Sequence, residues 1–564
     1  MTSNSLPAFG KVSGKIRIKT TALAFAGLMI FSLVLAACGG GGQSTTSTTK
    51  HILKIGASVG GNYTEYLSPY NPVGANPGIL GMVYETLYFI NISNNQQTPM
   101  LATSYAYNSD DTQLTFTTRT GVKWSDGQPF SASDVAFTFN MLHQYPAADA
   151  NGLWTYLSSV TATNSNTVVM TFKKAYPPLF WYIAGKTFIV PQHTFANQDP
   201  TKFANNPPIG TGPFTLTRFS PTLLVYDKNA RYWQANNVHV DELQYPTVKD
   251  NQTLQLDLMS GQIDWGGFFA PDLQQTFVAK DPAHNHYWMA PDNMFALYVN
   301  LSKYPLNQVA VRQAISLAID RTQLSKNAES GYVQPASTTG LVLPNEQSYL
   351  LPQYASSPTT ANAAQAIQTL KNAGFKQDSS GIFVDKNGKE FSFNLDTVTG
   401  YTDWDTMSQI IAQDLKNVGI KINVQQKAFA SYANDRSSLG FDLLIGGMFD
   451  GPTPFYLYNT HLNSANLSPN GWDWEHWNNT QTDQLLNQYA TTTNPSVQMQ
   501  AIQSLETIFA QNLPTIPLVN AADWYEYSTK NFTGFPDQSN PYAIGATYAA
   551  PDNEMVVLHL TPAS

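Results

Sequence analysis

The sequence predicts an α/β protein of two lobes, joined by a hinge of two crossing segments. Three observations lead there. Beyond residue 50, short runs of alternating apolar residues exchange places with amphipathic helical stretches, with no repeat or heptad pattern. Helix–glycine–strand units recur in the second half. A strand–proline–helix run at 295–321 and a strand after Pro514 mark two places where the chain can pass between lobes.

In chain order, the first segment is an address. Lys11, Lys15, Arg17 and Lys19 precede an apolar run at 22–37 that ends in Leu35-Ala36-Ala37-Cys38-Gly39. These are the basic, apolar and small-residue parts of a secretory signal, predicted at 1–37. The run is short and wrongly flanked for a spanning helix, which needs about 20 apolar residues. An uncleaved N-terminal anchor is the competing reading, and both readings export the chain. With cysteine at the cut, the segment resembles a bacterial lipobox, which implies that Cys38 becomes lipidated. Residues 38–50, with Gly39 to Gly42 and a Ser/Thr run to Thr49, read as a flexible tether. Cys38 is the only cysteine, so disulfides and Cys-ligated zinc are excluded.

The folded part begins with strand patterns. Leu114, Phe116 and Thr118 alternate, as do Val168, Met170 and Phe172. Between them Ser131 and Asp134 open a helix in the manner of a capping box, with Val135, Phe139 and Leu142 as its apolar stripe. Phe295, Leu297 and Val299 form a strand; Pro305 breaks it, Asn307 is the expected cap, and Val311, Ala314, Ile315, Ala318 and Ile319 stripe the next helix. Ala363 to Ala373 reads as a helix ended by Gly374. Met407, Ile410, Ile411, Leu415 and Val418 share a helical face ended by Gly419, and Ile420, Ile422 and Val424 follow as a strand. Ile516, Leu518 and Val519 form the last strong strand, where the chain is expected to return to the first lobe. The expected division is 51–295 with 520–564 for the first lobe and 296–519 for the second.

Composition narrows the partners. The net charge is −9, and the signal's basic residues leave the remaining chain more acidic still, which argues against nucleic acid and anionic lipid surfaces. Charged residues make up only 12%, so the surface meets polar solutes by hydrogen bonds rather than ion pairs. The 29 Tyr and 11 Trp supply rigid binding area with a polar edge. Phosphate-loop, His-Glu-x-x-His and Gly-x-Ser-x-Gly patterns are absent. His284 and His286 lack a nearby third ligand, so no metal and no cofactor is expected.

Five motifs then converge. Gly121-Val122-Lys123-Trp124-Ser125-Asp126-Gly127-Gln128-Pro129-Phe130, Pro208-Ile209-Gly210-Thr211-Gly212-Pro213-Phe214, Leu258-Met259-Ser260-Gly261-Gln262-Ile263-Asp264, Val311-Arg312-Gln313-Ala314-Ile315 through Asp320-Arg321, and Leu513-Pro514-Thr515-Ile516-Pro517-Leu518 occur in this order. Together they resemble the family 5 extracellular solute-binding proteins, the peptide- and nickel-type receptors of ABC importers. The resemblance implies a periplasmic-binding-protein-like fold of the class II type with an extra subdomain in the first lobe. It also implies a monomeric receptor, lipid-anchored outside the cell membrane, that passes an oligopeptide or other small solute to an ABC permease. On physical grounds Gly210, Gly212 and Pro213 read as turn punctuation, and Arg312 and Asp320 as surface or interlobe charges.

The resemblance also points to a site. Asp450, in Asp450-Gly451-Pro452-Thr453-Pro454, matches an aspartate that pairs with a peptide's α-ammonium in relatives. Thr453 stands where the family often has a second acid. Dipeptide-binding members place an arginine where this chain has Tyr401-Thr402-Asp403-Trp404-Asp405-Thr406, so a ligand carboxylate lacks its partner there. A longer peptide held through its backbone, or a neutral oligosaccharide stacked on aromatic rings, fits better. Candidate cleft walls are Tyr63, Trp265, Phe268, Phe269, Trp404, Phe455, Trp474 and Trp477, with core packing the competing reading for each. Asp405 is a further ligand candidate. Paired with Asp450, it would also serve the alternative of a secreted hydrolase.

Overall fold

Leu53 and Ile55, both fully buried, anchor the strand Ile52–Gly56 at the centre of a seven-stranded sheet. Its order is Asn285–Tyr287, Glu526–Ser528, Trp265–Gly266, Ile52–Gly56, Glu242–Pro246, Leu223–Lys228 and Phe214–Ser220. Ile52–Gly56 runs parallel to both of its neighbours. These relations come from a computed structural model, which describes residues 50–57, 62–71, 74–448, 451–467 and 473–563. The signal, Cys38 and the tether up to Thr49 lie outside the described residues, as does Asp450.

A second sheet orders Lys421–Lys427, Ser392–Val398, Leu443–Met448, Ala290–Val299 and Thr515–Asp523. The first three are parallel, and Ala290–Val299 is antiparallel to both of its neighbours. Apolar cores cover both faces of this sheet: Leu297 and Val299 point into one, and Ala296 and Tyr298 into the other. A separate antiparallel sheet of Ala102–Tyr107, Gln113–Thr118, Thr167–Phe172 and Leu157–Asn164 packs against the helix Ala132–Gln144.

The chain passes twice between the two large sheets. Asn285–Tyr287 is followed by Ala290–Val299, and Thr515–Asp523 by Glu526–Ser528. The two crossings are tied to each other, Trp288 N donating to Tyr525 O at 3.2 Å. The lobe boundaries expected at 295/296 and 519/520 fall inside these paired strands.

Local expectations meet the structure in detail. Ser131 and Asp134 form a capping box on the helix Ala132–Gln144. Leu114, Phe116, Val168 and Met170 are fully buried. Gly374 and Gly419 take φ of +90° and +84° at the ends of their helices, where a side chain would be strained. Asn307 is not a cap. Gln308 holds that position without a side-chain bond, because Asn307 still belongs to the preceding turn, its N–H bonded to Lys303 O.

Two motif readings need correction, those of Arg312 and of the Gly210/Gly212 pair. Arg312 is only 2% exposed and donates to the carbonyls of Leu306, Asn512 and Leu513. Arg321 is equally buried and donates to Pro517 O, Ser316 O and Ser316 Oγ. The fourth motif therefore clamps the backbone of the fifth, and burial pulls both guanidinium pKa values down to about 10. Asp320 is a cap, accepting from Gln323 N. Gly210 and Gly212 are glycine for close approach: a Cβ would lie 1.8 Å from Val83 O at the first and 2.4 Å from Met82 O at the second.

Candidate functional site

Ligands of open α/β sheets bind outside the carboxyl ends of the parallel strands. Here those ends are Gly56, Gly266 and Pro246 in one sheet and Val398, Met448 and Lys427 in the other. The hinge strands run beside them.

On the first lobe, Gly267 lies too close to its neighbours for a side chain: a Cβ would sit 2.9 Å from Trp524 O and 3.0 Å from Thr547 Oγ1. The half-buried Phe269 meets the Trp524 ring edge-on at 5.0 Å. Trp524 N donates to the Tyr548 hydroxyl, which reaches Asp523 Oδ1 at 3.3 Å. Tyr548 is 53% exposed, so this group is open to a solute. Burial pushes the Asp523 carboxyl pKa up, while hydrogen bonds from Asp292 and Tyr548 and the charge of Lys186 pull it down.

On the second lobe, the helix Thr402–Asn417 starts just past Val398. Trp404, in its first turn, packs edge-on against Phe295 at 5.8 Å and Tyr401 at 5.3 Å, and Tyr401 is 44% exposed. Asp405 is half-buried near Thr397 Oγ1, at 3.4 Å. After Leu443–Met448 the chain re-enters the described residues at Gly451, where a Cβ would lie 2.7 Å from the Tyr456 ring. From the next helix, Pro454–Leu462, Tyr456 crosses to the first lobe. Its hydroxyl donates to Pro178 O at 2.8 Å, and its ring lies 4.8 Å from Trp181 and 5.9 Å from Tyr182. A cavity of about 230 Å³ lies here, with Pro452, Thr453 and Tyr456 on one side and Tyr105, Tyr107 and Trp181 on the other. Trp181 Nε1 is buried and has no hydrogen-bond partner among the described residues. Thr493 and Asp111 add a second crossing bond at 3.1 Å.

The predicted residues divide. Trp404 and Phe269 stay part-exposed beside the strand ends. Trp265 is fully buried, its Nε1 donating to Gly545 O at 2.7 Å, and has no surface left for a ligand. Phe455 is 1% exposed and stacks on Tyr489 at 4.5 Å, because the helix turns it inward while turning its neighbour Tyr456 into the cleft. Tyr63, Phe268, Trp474 and Trp477 are buried core residues as well. Tyr456, Trp181, Tyr182, Trp524 and Tyr548 escaped the sequence reading. The only signal for Tyr456 was its place in the aromatic run after Pro454.

Metal ligation has little to build on. His284 pairs with Asp281 at 2.9 Å, and the His286 ring lies against Tyr527. No group of three His, Cys, Asp or Glu among the described residues is placed to hold a metal ion.

Comparison with known proteins bears on the same region. The family model described as "Bacterial extracellular solute-binding proteins, family 5 Middle" matches residues 96–469. The chain is 27% identical to the glutathione-binding protein GsiB of Escherichia coli K12, over 85% of this chain and 91% of that one. It is 24% identical to the oligopeptide-binding protein OppA of Bacillus subtilis, over 87% and 92%. Among solved structures, a periplasmic oligopeptide-binding protein of Thermotoga maritima superposes with a TM-score of 0.84 at 24% identity, covering 92% of this chain and all of that one. Its mannohexaose-bound form gives 0.77 at 25% identity, covering 92% and 99%.

Proposed function

This chain belongs to family 5 of the bacterial extracellular solute-binding proteins, and from that premise we propose that it captures an oligopeptide between its lobes and hands it to an ABC permease. The observation that carries the reading is the cleft itself. Two sets of parallel-strand ends flank a two-strand hinge, part-exposed rings line the space, and Tyr456 bridges it to the backbone at Pro178. One relative is named for oligopeptides and another for glutathione, itself a modified tripeptide.

Asp450 takes the peptide's free amine in this reading, and Trp404, Trp181 and Tyr456 pack its side chains. The missing arginine at 401–406 favours peptides longer than two residues. Lipidated Cys38 holds the monomeric receptor at the outer face of the membrane, with 39–49 as slack for docking. No covalent step is required, so the protein is a receptor rather than an enzyme. A second reading, a neutral oligosaccharide in the same cleft, draws on the mannohexaose-bound neighbour and the low charge density of this chain.

The test is calorimetry with short peptides against Asp450→Ala. A charge-assisted hydrogen bond is worth about 1.5–3 kcal/mol, so affinity for a peptide with a free amine should fall about tenfold or more. N-acetylated peptides should lose little. Equal affinity for the free amine in both proteins removes Asp450 from the site.

A further inference from the structure

A cavity of about 910 Å³ lies away from the strand ends, along the outer edge of the hinge. Its walls are the sheet-edge strand Asn285–Tyr287 and the start of Ala290–Val299 on one side. On the other is the 332–334 stretch, next to Pro335, which bridges to Val519 on the free edge of the second sheet. None of Tyr401, Trp404, Tyr456 or Tyr548 lines it. We propose that this cavity is a second binding site, for a neutral saccharide, distinct from the cleft.

The lining chemistry argues for that class. Asn94, Gln334, Asn345 and Asn520 bring amides, and Tyr287 and Trp288 bring part-exposed ring faces. Amides pair with hydroxyls through both donor and acceptor, and flat rings stack on the apolar faces of sugar rings. The one carboxylate among the described lining residues is engaged locally: Asp537 accepts from Ser539 N, Ser539 Oγ and Asn540 N at 2.6–2.9 Å. Among the described residues no lysine or arginine lines the cavity, and Asp537 and His286 are its ionisable groups besides the tyrosines, so most of the wall is amides and rings. The second observation is Asn520. It is 3% exposed, its Nδ2 donates to Leu343 O, and its Oδ1 has no partner among the described residues. An amide oxygen left unpaired in the interior is unfavourable, and a ligand hydroxyl would satisfy it. The volume suits a small-molecule site, typically about 300–1,000 Å³.

Position gives the site a consequence. Tyr287 and Trp288 belong to the first crossing, while Gln334 and Asn345 lie within the second lobe's stretch of chain. A molecule touching both walls favours one hinge angle, so it couples reciprocally to whatever closes the cleft.

The test is calorimetry of the purified full chain with maltotriose, cellotriose and mannotriose, on wild type, Gln334→Ala, Trp288→Ala and Trp404→Ala. The exposed Gln334 contributes its backbone carbonyl to Asn520 N, so removing its side chain leaves the fold in place. At least one trisaccharide should bind wild type and Trp404→Ala equally. Gln334→Ala and Trp288→Ala should weaken that binding at least tenfold, with unchanged melting temperature for Gln334→Ala. No binding of any trisaccharide overturns the proposal, and so does binding lost in Trp404→Ala but kept in Gln334→Ala, which places the sugar in the cleft.

Discussion

Replacing Tyr456 with phenylalanine removes one hydroxyl and leaves the ring. The ring keeps its contacts with Trp181 and Tyr182, and the lost group is the donor to Pro178 O at 2.8 Å. Burial holds the Tyr456 pKa well above the ordinary tyrosine value, so the hydroxyl stays a neutral donor throughout the physiological range. A neutral hydrogen bond contributes about 0.5–1.5 kcal/mol net. That energy is present only when the lobes are joined, so its loss shifts the open–closed balance by about fivefold, within a range of about two- to thirteenfold. A ligand that needs the closed form binds more weakly by the same factor while the closed form is scarce in the free protein. Peptide affinity by calorimetry and radius of gyration by X-ray scattering read the effect. Tyr456→Phe should bind about fivefold more weakly, mostly through faster release, and compact less at equal peptide concentration. Unchanged affinity with unchanged compaction refutes the latch.

Two further outcomes follow from groups outside the cleft. Gly210→Ala drives a methyl to 1.8 Å from Val83 O, and backbone on both sides cannot yield, so urea unfolding should show a loss of about 3 kcal/mol or more, or no folded protein. Glu329 is fully buried with neither carboxylate oxygen paired among the described residues; burial, and to a lesser degree Asp403, raise its pKa from 4.5 to about 8. The folded value lies above the unfolded one, so the stability present below pH 4.5 is lost as pH rises towards 8. At about 1.4 kcal/mol per pH unit the loss is about 5 kcal/mol at most. Glu329→Gln should match wild type near pH 4.5 and gain steadily up to pH 8; parallel stability curves for the two proteins would show that Glu329 is not the source.

How far the sequence reached depended on the distance over which each signal acts. The Ser131–Asp134 box, the alternation at 114–118 and the stop at Gly419 are local, and the structure shows each of them. The five motifs led to the family through joint order, without their physical roles being visible. Arg312 looked like a surface charge because the carbonyls that receive it, at Asn512 and Leu513, lie far along the chain. Gly210 looked like a turn because Val83, which crowds it, is equally remote. Trp265 and Phe455 turn out buried for a related reason, while Trp404 and Phe269 stay part-exposed. Nothing local separates Trp265 and Phe455 from Tyr456; only tertiary packing decides that the first two point inward while Tyr456 points across the cleft.

The central claim is that the lobes enclose a peptide and release it unchanged. Native mass spectrometry of the purified protein, mixed with a defined set of tri- to nonapeptides, tests it most directly. The account predicts one intact peptide bound per chain, with no new fragments after prolonged incubation. A chain that retains no peptide, or that converts the set into cleavage products, would contradict it.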